Sequence, residues 1–345
     1  DVQRPCPEPC ALRFKMTKHI VIIRLSALGD VAIAAPLVRA YAEANPKVTF
    51  TMVSQPKMES LFGGIPNLHF MPYAKSKNDI VKSIKFAGSI ARLKPTAVAD
   101  IHNVLRSKLM RLRLSLSGIE SHSLDKNRSA RRALTREKNK VLVPLRSSMR
   151  GYEEVLVKCG LADLHFTERP LPPRKAGNSL VRRIGIAPFA AHKGKAWPVE
   201  YMERVVEQLS KDENVKVYLF GGGASEKEIL AGWESRFKGV ESLCGKFSLS
   251  QEIEFMRTLD LMVTMDSANM HFASFAEVPV VSVWGATHPY AGFYGWGQKP
   301  GNALQRELPC RPCSIFGNKP CAKENYECLY GIKPEEVLGK IYELL

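Results

Sequence analysis

The sequence predicts an α/β fold of two doubly wound, Rossmann-like parallel-sheet domains facing a cleft, and three observations carry that prediction. Short apolar, often β-branched runs alternate with longer segments of helical period, from "HIVIIRL" near the start to "PVVSVWG" near the end. That order implies parallel strands joined by right-handed crossovers. The chain has 345 residues, more than one average domain holds. The alternation is broken once, by the Pro- and Gly-rich stretch "ERPLPPRKAGNS" at 168–179, which reads as a linker.

The elements follow in order. "HIVIIRL" suits a strand buried on both faces. "VAIAAPLVRAYAEANP" has Ala34, Leu37, Val38 and Tyr41 at helical spacing, with Pro36 expected near the helix start, where it is tolerated. "KVTFTMVS" and "TAVADIHN" are the next strands, the second ending in the polar group Asp100, His102 and Asn103. After the linker, "RRIGIAPF" is a strand, "WPVEYMERVVEQLSK" a helix and "VKVYLFGG" a strand. "SLSQEIEFMRTL" is a helix, "DLMVTMD" a strand, "SANMHFASFAE" a helix and "PVVSVWG" a strand. "KPEEVLGKIYELL" closes as a helix with Pro334 in its first turn. The expected layout is an extension outside the fold at 1–15, a first domain at 16–170, a second at 180–332 and a terminal helix at 333–345. Ligands of such sheets bind beyond the carboxyl ends of the strands.

Composition narrows the function classes. No run of about 18 uncharged apolar residues exists, so no transmembrane helix is expected. "HIVIIRLSALGDVAIAAPLV" comes closest, but Arg24 and Asp30 interrupt it and no small-residue cleavage site follows an unbroken apolar core, so no signal peptide is expected. The formal net charge is +16, which suits an anionic partner. The charge is concentrated: residues 81–150 hold 17 Lys or Arg against 4 Asp or Glu, a net of +13. Nucleic-acid binding would interleave aromatics for base stacking, and Phe86 is the only aromatic there, so no nucleic-acid partner is expected. "RSARRALTREKNK" within this stretch reads as a mobile basic loop.

Several polar groups fall just after strand ends. "RLSALGDV" leaves the first strand, turns at Gly29 and sets Asp30 at the start of a helix. Asp30 there is either a helix cap or a carboxylate facing the cleft. "AHKGKAWP" puts Lys195 before a helix, where it can neutralise a phosphate. "GGGASE" follows a strand with three glycines that let backbone N–H groups approach a ligand, but it is not a dinucleotide fingerprint. In "DSANMHFA", Asp266 and Ser267 suit a helix N-cap, and His271 stands four residues past Ser267 on the same face. A free helix N-terminus is also an anion site. These signals point to a nucleotide diphosphate in the second domain. No D-x-D occurs in the chain, so the leaving diphosphate is expected to be neutralised without a metal, by Lys, His and helix dipoles. Cys310, Cys313, Cys321 and Cys328 read C-x2-C-x7-C-x6-C. One C-x2-C is knuckle-like, but the second pair is too widely spaced for a zinc ribbon, so buried or loosely paired thiols are expected.

"RLSALGDV", "DIHNVLRSKL", "HKGKAWP", "GGGASE", "DSANMHFA" and "PVVSVWGATHP", in this order, resemble the successive motifs of glycosyltransferase family nine, the lipopolysaccharide heptosyltransferases. The resemblance covers about residues 18–345. It implies a GT-B fold and an inverting transfer from an ADP-heptose-type nucleotide-sugar donor to an anionic glycolipid acceptor, with no cofactor. It implies a cytoplasmic enzyme peripheral to the inner membrane. By the same resemblance Asp30 is the general base, Lys195 contacts the donor diphosphate, and Glu226 holds the donor ribose. Asp266, Ser267 and His271 line the diphosphate and sugar pocket, and Arg106, at the "LRS" position, contacts the acceptor. Where the family has Gly after the Asp-Ser/Thr pair, this chain has Ala268. A related GT-B transferase using another nucleotide sugar is the alternative.

Overall fold

Two parallel sheets lie one after the other along the chain. The computed structural model describes residues 18–76, 78–172 and 180–345; the 1–15 extension and most of the expected linker lie outside the described residues. The first sheet contains β1 (His19–Ile23), β2 (Thr49–Ser54), β3 (Leu68–Pro72), β4 (Ala97–Asp100) and β5 (Glu120–Ser123), in the spatial order β3-β2-β1-β4-β5. The second contains β6 (Arg182–Ile186), β7 (Val215–Leu219), β8 (Val240–Ser242), β9 (Leu261–Met265), β10 (Val280–Trp284) and β11 (Ala303–Gln305), in the order β11-β10-β9-β6-β7-β8. All pairings are parallel.

Eleven α-helices join the strands among the described residues. They are α1 (Leu28–Ala44), α2 (Asp79–Arg92), α3 (Leu105–Ser115), α4 (Arg128–Thr135), α5 (Ser148–Lys158), α6 (Val199–Leu209), α7 (Ala224–Arg236), α8 (Leu249–Met256), α9 (Ala268–Phe275), α10 (Glu327–Tyr330) and α11 (Pro334–Leu344).

The central strands are the apolar runs. Ile20, Val21, Ile22 and Ile23 of β1 are fully buried, as are the residues of β9 and β10, because helices cover both faces. Two sequence expectations need correction. Helix α1 starts at Leu28, so Pro36 lies well inside it rather than near its start. The stretch "RSARRALT" is not a loop but the helix α4, anchored by the buried Leu134.

Each sheet reverses its strand order once, at β1/β4 and at β6/β9, and those switch points open the crevices where α/β sheets bind ligands. The two crevices meet. Helix α1, leaving β1, packs against α9, leaving β9. The approach is close at Gly29: a Cβ there would stand 3.1 Å from the His271 ring and 3.5 Å from the Ala268 backbone. The core is continuous across this contact, with α1, β2, α9 and Trp284 in one cluster. Backbone hydrogen bonds from Leu145 to Tyr290 (2.9 Å) and from Ser148 to Gly292 (2.7 Å) tie the halves further.

Candidate active site

At the end of β1 the chain turns through Arg24–Ala27 and enters α1. Ile23 pairs with Asp100 of β4, so the two strands end level. Asp30 is the third helical residue of α1, not its N-cap, and accepts a weak bond from the Ala27 N–H (3.4 Å). Its carboxylate forms an ion pair with the guanidinium of Arg24. Arg24 is buried, donates to the Ile101 carbonyl (2.8 Å) and lies over the Tyr152 ring. Burial works against its charge, but Tyr152 and Asp30 more than offset that and raise its pKa.

Asp100 organises the turn beyond β4. It is fully buried, accepts the N–H groups of His102 (3.0 Å) and Asn103 (2.8 Å), and pairs with Arg111 at 2.9 Å. The turn delivers His102, whose Nδ1 faces the Leu25 N–H at 3.3 Å. Burial, and then Arg24 nearby, push its pKa down to about 2, so the ring is neutral and the Leu25 contact assigns Nδ1 as acceptor.

Asp30 opens into a cavity of about 670 Å³ between the halves. Arg24, Lys126, Arg128, Arg131 and Arg132 line it, and Asp30 is the one carboxylate among the lining residues. The three arginines of α4 fall at i, i+3 and i+4, which puts them on one helical face. The positive charges are close enough to oppose one another. Burial first, then Arg24, Arg128 and Arg131, lower the pKa of Lys126. Phe293, Ile315 and Phe316 close the cavity from the second half, with Arg131 over the Phe293 ring.

The second switch point has a balanced charge. Lys195, after β6, pairs with the buried Asp266, after β9, at 2.8 Å. Ser267 is the N-cap of α9, but its hydroxyl bonds Thr264 (3.0 Å) and makes no cap bond. His271 lies one turn into α9, buried, with Nδ1 unpartnered. Burial pushes its pKa down to about 4 against the pull of Asp266 and Asp30. The structure therefore gathers Asp30, Lys195, Asp266 and His271 around one point at the junction of α1 and α9. Glu226, in the first turn of α7, reaches back to the turn after β7 and accepts the Gly222 N–H (2.7 Å). That amide is thus committed to a side chain rather than aimed at a ligand. In the same turn Gly223 has φ 103°, a conformation suited to glycine.

Arg106 pairs with Asp79 of α2 at 3.1 Å and is not among the residues lining the cavity. The cations that do line it on α4 were hidden in the stretch read as a loop. Their signal was present, since "RSARR" carries basic residues at helical spacing.

The family model for glycosyltransferase family 9 (heptosyltransferase) matches residues 161–326. The chain is 27% identical over 192 residues to lipooligosaccharide heptosyltransferase 2 of Campylobacter jejuni, a match covering 52% of this chain and 58% of that relative. Against lipopolysaccharide heptosyltransferase 1 of Campylobacter coli it is 23% identical over 94% of this chain and 98% of the relative. The fold superposes on the E. coli ADP-heptose lps heptosyltransferase II with a TM-score of 0.65 at 18% identity, covering 94% and 98% of the two chains. Its two parallel sheets are those of the GT-B architecture.

Proposed function

We propose that this chain is an inverting heptosyltransferase of lipopolysaccharide synthesis. It moves a heptose from a nucleotide-diphosphate donor, ADP-heptose, to an anionic inner-core or lipid A acceptor. The observation that carries the reading is the 670 Å³ interdomain cavity, in which a single carboxylate, Asp30, faces five cations. The acceptor part of this reading is chemical: phosphates and carboxylates of a Kdo-bearing lipid A suit Lys126, Arg128, Arg131 and Arg132. These four replace Arg106 as the acceptor contacts. The donor part draws on the E. coli heptosyltransferase whose structural description names ADP-heptose.

In the proposed mechanism, residues 16–170 bind the acceptor and residues 180–332 the donor. The acceptor hydroxyl gives its proton to Asp30 as its oxygen attacks the anomeric carbon. The bond from that carbon to the diphosphate breaks on the opposite face, which inverts the configuration. The diphosphate leaves with its charge met by Lys195 and by the free N–H groups of α9 after Asp266 and Ser267. Asp266 orients the Lys195 ammonium. His271, kept neutral by burial, offers the diphosphate a ring N–H but no positive charge, and Glu226 takes the ribose hydroxyls at the neighbouring turn. Arg24 is a positioning residue that fixes the Asp30 carboxylate toward the cavity.

Contact with the membrane surface is part of the same proposal. No helix of the described residues is long and apolar enough to cross a membrane. Helices α2 and α3 pack together and expose Ile80, Val81, Leu105, Leu112 and Leu116 beside Lys82, Lys85, Lys108 and Arg113. Apolar residues beside basic ones suit an anionic leaflet.

The deciding experiment is transfer from ADP-heptose to a Kdo-bearing lipid A, with the product anomer assigned by NMR. An inverted heptoside formed with ADP-heptose and not with UDP-, GDP- or CDP-sugars is expected. A retained anomer, or preference for another nucleotide, overturns the reading.

A further inference from the structure

The chain leaves β1 and β4 side by side, and the two exits lock together. The Ser54 hydroxyl donates to the Arg24 carbonyl (2.8 Å) and the Gln55 amide to the Leu25 carbonyl (3.0 Å), so the backbone after β1 is held from the end of β2. Arg24 in turn donates to the Ile101 carbonyl (2.8 Å) after β4. Beyond it, Asn103 sits at φ 47°, which asparagine tolerates, and its side-chain amide donates to the Leu124 carbonyl (2.6 Å). Asp100 accepts the His102 and Asn103 N–H groups. The backbone on both sides of His102 is therefore fixed before any ligand arrives.

The ring of His102 is fixed as well. It is buried, and its single side-chain hydrogen bond among the described residues runs from the Leu25 N–H to Nδ1. A neutral imidazole with one nitrogen accepting carries its proton on the other. That proton is on Nε2, which has no partner among the described residues. Nε2 is also not one of the sealed orphan atoms: it keeps open surface, and His102 lines the interdomain cavity together with Asp30. The two side chains are anchored close to one another. The Leu25 N–H holds His102 and the Ala27 N–H meets Asp30, and two residues of chain span no more than about 7 Å. Burial, and then the charges of Arg24, Lys126 and Arg106, keep the ring neutral. His102 is thus a neutral donor of fixed polarity in a basin of cations.

We propose that His102 holds the acceptor sugar through its Nε2–H, donating to a neutral hydroxyl oxygen next to the hydroxyl that Asp30 deprotonates. The inference rests on the reading of this chain as a glycosyltransferase with Asp30 as base, and gives His102 a substrate contact of its own. The chemistry divides the labour. Guanidinium and ammonium groups suit phosphates and carboxylates, whereas a neutral N–H meets a neutral oxygen without burying a further charge. The hydroxyl held by His102 is not the attacking one, because a donor on that oxygen would tie up the electron density it must give to the anomeric carbon. Holding its neighbour fixes the sugar ring, and with it the direction of the attacking O–H toward Asp30. His102 takes no proton in this step. Its Nδ1 is occupied by the Leu25 amide, its Nε2 already carries a proton, and the ring stays neutral throughout.

The test compares the wild-type chain with His102→Asn in transfer from ADP-heptose to a Kdo-bearing lipid A. The Asn Oδ1 stands as many bonds from the backbone as Nδ1 of the histidine, so the variant keeps an acceptor for the Leu25 N–H and loses the donor. Its kcat/KM for the acceptor should fall about tenfold, the upper part of the range for one hydrogen bond, with the donor KM unchanged. Among monodeoxy acceptors lacking a hydroxyl adjacent to the attacked one, one should cost the wild type a similar factor and the variant nothing further. A histidine with only a structural role would not give that pattern. Nitrogen NMR of the wild-type chain should show Nε2 protonated and Nδ1 bare, with no titration in the ordinary histidine range. No transfer by the wild type overturns the glycosyltransferase reading and this inference with it. Transfer by folded His102→Asn at the wild-type kcat/KM overturns this inference alone, as does equal sensitivity of both proteins to each missing hydroxyl. A proton on Nδ1 overturns it even if the variant does not fold.

Discussion

The two switch points of this molecule are built alike and charged differently. At β1/β4 the cavity lining sets five cations against one carboxylate, whereas at β6/β9 one lysine meets one aspartate. The same topology therefore serves two electrostatic purposes. The first is a large positive basin with a single carboxylate. The second is a neutral pair beside a helix N-terminus. The lesson is that the fold fixes where ligands go, while the residues after each strand fix which ligand goes where.

The largest expected effect comes from removing the carboxylate on which the first switch point depends. Asp30→Asn should lower kcat by about 10²–10⁴-fold, the range for loss of general base catalysis. ADP affinity, measured by calorimetry, should hold. The variant also leaves the buried Arg24 without its partner, so a stability loss of about 1–3 kcal/mol is expected. Arg24→Met with Asp30→Asn should recover stability, because both partners are then apolar or neutral, and should not recover turnover. Recovered turnover would remove Asp30 from the chemistry.

At the second switch point, Lys195→Ala should weaken ADP binding by about 1.5–3 kcal/mol, the worth of a hydrogen bond to a charged group. Acceptor KM should change little. Unchanged ADP affinity would make the Lys195–Asp266 pair purely structural.

Arg131→Ala tests the basin. The acceptor KM should rise by about tenfold, equivalent to about 1.4 kcal/mol, and the donor KM should hold. Raising salt should mimic the variant, since exposed charges are screened beyond about 10 Å at 0.1 M. Equal salt effects on both substrates would erase the contrast between the two sites.

One histidine at each switch point links the comparison to pH. His102 and His271 are held neutral by burial, with pKa values of about 2 and about 4 against 6.5 for a free ring. The unfolded chain takes up these protons first, so their contribution is complete above pH 6.5 and is lost as pH falls toward the folded values. Each histidine should cost about 1.4 kcal/mol per pH unit in that window. Urea unfolding at pH 7 and pH 5.5 measures the slope, and His271→Asn should reduce it. A slope unchanged by that substitution would show that His271 is solvated rather than buried.

The smallest effect is expected at Arg106. Its partly exposed pair with Asp79 should be worth no more than about 1 kcal/mol, so Arg106→Ala should leave the acceptor KM and turnover near wild type. A large rise in KM would return Arg106 to the acceptor site.

Much of this was legible in the sequence. The strands buried on both faces read as uninterrupted apolar runs, because nothing polar survives there, and they gave the α/β class. The strands that were not foreseen, β3, β5, β8 and β11, are the four sheet edges. An edge is only partly covered, so its residues carry no continuous apolar signal, as in the "ESHS" of β5. Asp30, Lys195, Asp266 and His271 stood out because chemistry in such folds lies just past strand ends, and that rule is local. Pairing is not local. The sequence placed Arg24 six residues before Asp30 without indicating their ion pair, and put the α4 arginines about 100 residues further on without joining them to the same cavity. Cys310, Cys313, Cys321 and Cys328 are free thiols, as expected, but that they line one cavity is visible only in the fold. Strand and helix periods are set by neighbours along the chain, so sequence alone determined the architecture and the turns past the strand ends at which these residues stand. Which charges share a basin depends on how the sheets reverse and on where α1 meets α9, and only the tertiary structure decided that.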